Sequence, residues 1–124
     1  MDWITILGVL KSAIDIVKSI PEVQKAGQHV VDQINKLIGK GGGKAPQGPL
    51  ATLIEGQAKR LKTLVDEFAS KDTDPRFDNI EKAAFRRRVA AQARSLLESS
   101  APIKDSLPDY DALLAFFDSA AKSA

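Results

Sequence analysis

VQKAGQHVVDQINKLI, residues 23–38, is the stretch on which the fold turns. Val23, Ala26, Val30, Val31, Ile34, Leu37 and Ile38 recur at three- and four-residue steps, the period that gathers side chains on one face of an α-helix. Lys25, Gln28, Asp32 and Lys36 take the other side. The segment reads as an amphipathic helix, opening at Glu22, with one face to bury. Toward the N-terminus, Pro21 closes an earlier run whose stripe is Ile6, Leu7, Leu10, Ala13, Ile14, Val17 and Ile20, a first helix that begins at Trp3.

Toward the C-terminus, Gly39 is placed as the residue just past the helix, where a positive φ is needed. Gly41, Gly42, Gly43, Pro46 and Gly48 cannot sustain helix, so residues 39–48 form a flexible glycine-rich loop. Pro49 suits the first turn of a third helix, with Leu50, Leu53, Ile54, Leu61, Leu64, Val65 and Phe68 as its core stripe and Glu55 and Lys59 as an i,i+4 pair. Lys71 to Pro75 is a turn. Asp78 with Glu81 reads as the capping box of a fourth helix, with Phe85, Val89, Ala93 and Leu96 inward and Ala90 and Leu97 beside them, running to about Ser99. Pro102 interrupts. Ser106 and Pro108 then signal a last helix, which buries Tyr110, Leu113, Leu114, Phe117 and Ala121. Five amphipathic helices with mostly short connections bury their stripes only against one another, which predicts an all-α fold: one antiparallel bundle of about five helices, a single domain over residues 1–124.

Composition agrees. The chain has 124 residues, 44% hydrophobic and 27% charged, enough to build a core and too apolar for disorder. It contains no cysteine, which removes disulfides, thiolate metal sites and cysteine nucleophiles and makes the cytoplasm the expected location. No apolar run approaches the roughly 18 residues of a spanning helix. A net charge of +2 from 18 basic and 16 acidic residues is too balanced to require a nucleic acid partner.

The polar residues offer no catalytic set. The loop Gly39-Lys40-Gly41-Gly42-Gly43-Lys44 lacks the glycine and the Ser or Thr of a phosphate cradle, having Ile38 and Ala45 at those places. His29 is the only histidine, with Asp32 and Gln33 nearby, and two such groups make no site. Asp72, Asp74 and Asp78 lack the glycine bend and terminal glutamate of a calcium loop. No catalytic residue, metal ligand or cofactor is therefore expected.

Contact residues are better candidates. In the first helix Ile4, Val9 and Ile16 widen the apolar sector beyond the main stripe, and Trp3 sits at its start, so the helix is either central to the bundle or has an outside partner. Phe116 falls off the stripe of Phe117 and Leu113 and is expected to be an exposed aromatic. Among Arg86, Arg87, Arg88 and Arg94, only Arg87 and Arg94 share a face, and no aromatics interleave for base stacking. Trp3, Ile4, Val9, Ile16, Arg87, Arg94 and Phe116 are thus the expected interaction residues.

The opening Met1-Asp2-Trp3-Ile4-Thr5-Ile6-Leu7-Gly8-Val9-Leu10 resembles the start of HeLo-like helical domains, found at the N-termini of some cell-death and immune proteins. The resemblance covers about 20 residues, and it implies a helical domain that perturbs membranes through its first helix. Two functions follow as expectations. The first is a non-catalytic interaction or oligomerisation module, an adaptor in a larger assembly, with a partner protein or a second copy as its ligand. The alternative is a membrane-perturbing bundle that reaches a lipid surface through helix one.

Overall fold

Asp2 opens the structure by capping its first helix: its Oδ1 accepts the Thr5 backbone N–H at 2.7 Å, satisfying one of the donors a helix start leaves free. A computed structural model describes residues 1–123, and in it five α-helices follow in order: α1 (Trp3–Val17), α2 (Gln24–Gly39), α3 (Gly48–Lys71), α4 (Asn79–Ser99) and α5 (Tyr110–Ala121). Two short 3-10 segments, Pro21–Val23 and Ala101–Ser106, join α1 to α2 and α4 to α5. The all-α bundle is as the periodicity predicts, without strands among the described residues.

Helix α1 is the centre of the bundle. It packs against α2, α3 and α4 and buries Trp3, Ile6, Leu7, Val9, Leu10, Ala13, Ile14 and Val17. The extra apolar width read from the sequence is therefore taken up inside the protein, since neighbours on several sides need a wider stripe than one neighbour does. Ile20 lies beyond the helix yet stays buried. The chain turns there through Pro21–Val23, so α2 starts at Gln24 and not at Glu22.

The stop of α2 lies two residues later than its sequence suggests. Gly39 is still helical, and Gly41, at φ 90°, is the left-handed residue just past the helix, followed by Gly42 and Gly43, also at positive φ. The Gly42 N–H donates to Leu37 O at 2.9 Å and the Gly41 N–H to Ile38 O at 3.0 Å, the paired bonds of a Schellman ending. The beginning of the glycine loop is thus folded, with Gly42 buried, while Lys44, Ala45 and Gln47 are exposed.

Two further expectations are corrected. Leu53, 51% exposed, is not core: α3 faces the bundle with Ile54, Ala58, Leu61 and Phe68, and one residue along a helix turns a side chain by about 100°. Ala26 is likewise exposed, because Gly27 and Val30 carry that end of α2 inward.

Candidate functional site

The seven expected interaction residues do not converge on one surface. Trp3 and Val9 lie in the core, and Ile16 is partly buried against it. Phe116, expected to be exposed, is 2% exposed. The correction has a clear cause: α5 packs against α4 on one side and against α2 and the Pro21–Val23 turn on another, so it needs two apolar faces. Phe116 fills the second, close to Gly27, where a Cβ would come within 3.1 Å of its ring.

Arg94 bridges two helices, its guanidinium lying 3.1 Å from Asp118 of α5 and 3.4 Å from Glu98. Hydrogen bonds from Lys122 and then Arg94 hold the Asp118 carboxyl below the usual carboxylate range. Arg87 is partly buried on the same helix. Ile4, 39% exposed, is the exposed large hydrophobic residue of α1. His29 pairs with Asp109 across 2.9 Å at the surface, and no group of three or more metal-ligating side chains occurs among the described residues.

The built site lies elsewhere, where α3 turns into α4. The turn is set by Asp74, whose carboxylate accepts the Arg76 backbone N–H at 2.9 Å and both Nε and Nη2 of its guanidinium, at 3.2 and 2.9 Å. The side-chain bonds first, and then the backbone bond, lower the Asp74 pKa, and the same pairing raises that of Arg76. Asp78 follows and caps α4, its Oδ1 accepting the Glu81 N–H at 2.8 Å.

Between these two fixed points the chain turns Phe77 inward against Phe68 and Phe85, with ring centroids 5.8 and 6.1 Å away and near-perpendicular planes. Phe68 and Phe85 complete the cluster at 5.9 Å. Such edge-on contacts add about 0.5–1.5 kcal/mol per pair beyond the area they bury.

Four cations surround the three rings. Arg88 lies over Phe85 at 5.0 Å, Lys71 over the same ring at 5.6 Å, Arg86 over Phe68 at 5.4 Å and Lys82 over Phe77 at 6.0 Å. Each contact at the surface contributes about 0.5–1 kcal/mol. Lys82 is also paired with Asp72, at 3.4 Å, and Arg76 with Asp74. Among the described residues Lys71, Arg86 and Arg88 have no carboxylate partner, and the Arg86 Nε is buried without an acceptor.

Two of the rings, Phe77 and Phe85, and two of the cations, Lys71 and Arg88, border an open groove of about 590 Å³, whose lining is completed by Asp74, Arg76, Glu81 and Ala84. Next to it on α4 stands Ile80, 80% exposed. The groove offers fixed charge and apolar contact, the means of binding.

Sequence reasoning passed over Phe77 and Ile80. One signal was available: Phe77 occupies the position before a helix cap, where an apolar residue usually packs on the fourth helical residue. That residue is Lys82, and its ammonium lies over the ring. With the geometry established, comparison with known proteins adds no relative: no protein-family model, curated protein or solved structure matches the chain.

Proposed function

We propose that this chain is a non-catalytic, cytoplasmic interaction module that docks a partner protein at the α3–α4 end of its bundle, in the manner of an adaptor within a larger assembly. The observation that carries the reading is the combination at that end of two cations without carboxylate partners, Lys71 and Arg88, and the most exposed large aliphatic side chain, Ile80. An isolated exposed isoleucine is ordinary. One beside a charged, aromatic-floored groove has the composition of a binding surface: an apolar centre with a polar rim.

The alternative, a membrane-perturbing bundle, is less well supported. No helix among the described residues is long and apolar enough to cross a membrane. Releasing α1 to a lipid surface would first expose eight side chains of the core, at roughly 1.5–3 kcal/mol for each large one, a loss comparable with the whole stability of an ordinary domain.

A photo-crosslinking amino acid at position 80 tests the proposal in native cells. A discrete protein adduct is expected from position 80, suppressed by Arg88→Glu and absent when the crosslinker replaces Lys25 on α2. Equal labelling at both positions would reject the reading.

A further inference from the structure

We infer that the occupant of the α3–α4 groove is an acidic amphipathic helix of another protein, which seats an aliphatic side chain against Ile80 and holds a carboxylate between Arg88 and Lys71. The inference rests on the interaction-module reading and adds the chemistry of the partner.

Two zones lie along α4. At one end Ile80 and Ala84 are exposed one helical turn apart, Ala84 lining the groove with Phe77; at the other, about 12 Å along the axis from Ile80, Arg88 lies over Phe85. Lys71 reaches the same ring from α3, and the two like charges, at 5.0 and 5.6 Å from its centroid, both line the groove. Their mutual repulsion is relieved by an anion placed between them. A guanidinium lying over a ring keeps its in-plane N–H donors available, and those donors match a carboxylate bidentately.

The acids of the lining sharpen the choice. Asp74 is neutralised by Arg76, which leaves Glu81, two helical turns from Arg88, as an acid without a cation partner among the described residues. Glu81 repels negative charge at the Ile80 end and so confines the partner's acids to the Arg88 end. A nucleic acid, charged along its whole length, meets Glu81 and finds Phe77 and Phe85 buried, without faces for base stacking. A strand finds no sheet edge to join among the described residues. A helix satisfies its own backbone and presents an aliphatic residue and a carboxylate a few turns apart, the groove-binding mode that fits this spacing.

The probe is a capped 16-residue helical peptide with leucines and glutamates along one face, compared with a twin carrying lysine for every glutamate. In a titration of the whole isotopically labelled chain, the glutamate peptide is expected to shift the amide signals of Phe77, Ile80, Ala84 and Arg88. Ile80→Asp and Arg88→Glu, both at exposed positions, should each weaken it at least tenfold while the chain stays folded, with the denaturation midpoint unchanged in Ile80→Asp and slightly lowered in Arg88→Glu, which gives up its contact with the Phe85 ring. Glu81→Gln should tighten it a few-fold, and Arg88→Glu should gain affinity for the lysine twin.

Equal binding of both peptides, or shifts centred elsewhere, would overturn the inference. So would sedimentation with phosphatidylglycerol-containing vesicles that depends on Arg88 while the peptide does not bind, which assigns the groove to lipid. A concentration-dependent rise in solution mass abolished by Arg88→Glu would overturn it too, by assigning the groove to a second copy. A specific crosslink at position 80 with no peptide binding refutes the acidic helix and leaves the interaction module standing; loss of both refutes both.

Discussion

The indole Nε1 of Trp3 donates a 2.8 Å hydrogen bond to the carbonyl oxygen of Gly42, 39 residues further along the chain. The bond is buried, and it fastens the beginning of the glycine loop to the first turn of α1. Trp3→Phe leaves that carbonyl without its donor, at about 1–3 kcal/mol. Gly42→Ala meets two obstacles: φ is 88°, and the added Cβ falls 2.7 Å from Ile4 Cδ1 and 3.3 Å from Trp3 Cδ1. A left-handed backbone alone costs a residue with a side chain about 1–2 kcal/mol. Both variants should unfold at lower denaturant, and in Gly42→Ala the tryptophan emission should move to the red. An unchanged midpoint in both would show that the loop is not fastened there.

On α3, two leucines should differ sharply. Leu61 is fully buried and Leu53 half exposed, so Leu61→Ala is expected to cost about 2–5 kcal/mol and Leu53→Ala to stay within about 0.5 kcal/mol. Chemical denaturation of the two variants side by side decides the matter, and similar losses would mean that the inward face of α3 is misassigned.

Gly27 marks a close approach between α2 and its surroundings. A Cβ there would lie 2.5 Å from Lys18 Cβ and 3.1 Å from Phe116 Cε1. The neighbour at the shorter distance is held next to the backbone and cannot swing away. Gly27→Ala should therefore destabilise by about 1–3 kcal/mol despite alanine's better helix propensity, and Phe116→Ala by about 3–5 kcal/mol. If Gly27→Ala stabilises the protein in thermal unfolding, α2 and the α1–α2 connection are further apart than described.

Acid should weaken the fold in a definite direction. The pKa of Asp118 is lowered by hydrogen bonds from Lys122 and Arg94, and that of Glu55 by the bond from the N-terminal amino group and then by Lys59. A carboxyl group whose folded pKa lies below its unfolded value contributes stability above the unfolded value and loses it as pH falls through the folded one. Stability should hold from neutral pH to about pH 4 and decline below that. Asp118→Asn should flatten part of this decline while slightly lowering stability at pH 7. A decline of the same size in wild type and variant would exclude Asp118 as a contributor.

The helices were legible because their signals are local. Asp78, three residues before Glu81, caps α4 where its pattern places it, and the stripe of α1 persists for four turns. What was illegible depended on partners distant in sequence. Phe116 looked superfluous on a helix imagined with one neighbour; it has neighbours on two sides. The Gly39 to Gly43 run offered four glycines for the left-handed residue that ends α2, and with Gly41, Gly42 and Gly43 all at positive φ only the hydrogen bonds to Leu37 and Ile38 select Gly41. The α3–α4 groove was hidden for a third reason. Phe77 lies between helices, where no periodicity reports its direction, and the cations that meet at Phe85 come from two helices separated by the turn.

The central position of α1 carries a consequence for synthesis. Helix α1 leaves the ribosome before α2, α3 and α4, which cover it, so its cover is complete only when Ser99 has emerged, about 80 residues later, roughly 4–16 s at 5–20 residues per second. During that interval Leu7, Leu10 and Ile14 have few lasting partners. Slow codons placed between α2 and α4 would lengthen the delay and should raise the aggregated fraction during translation, while leaving the refolded protein unchanged.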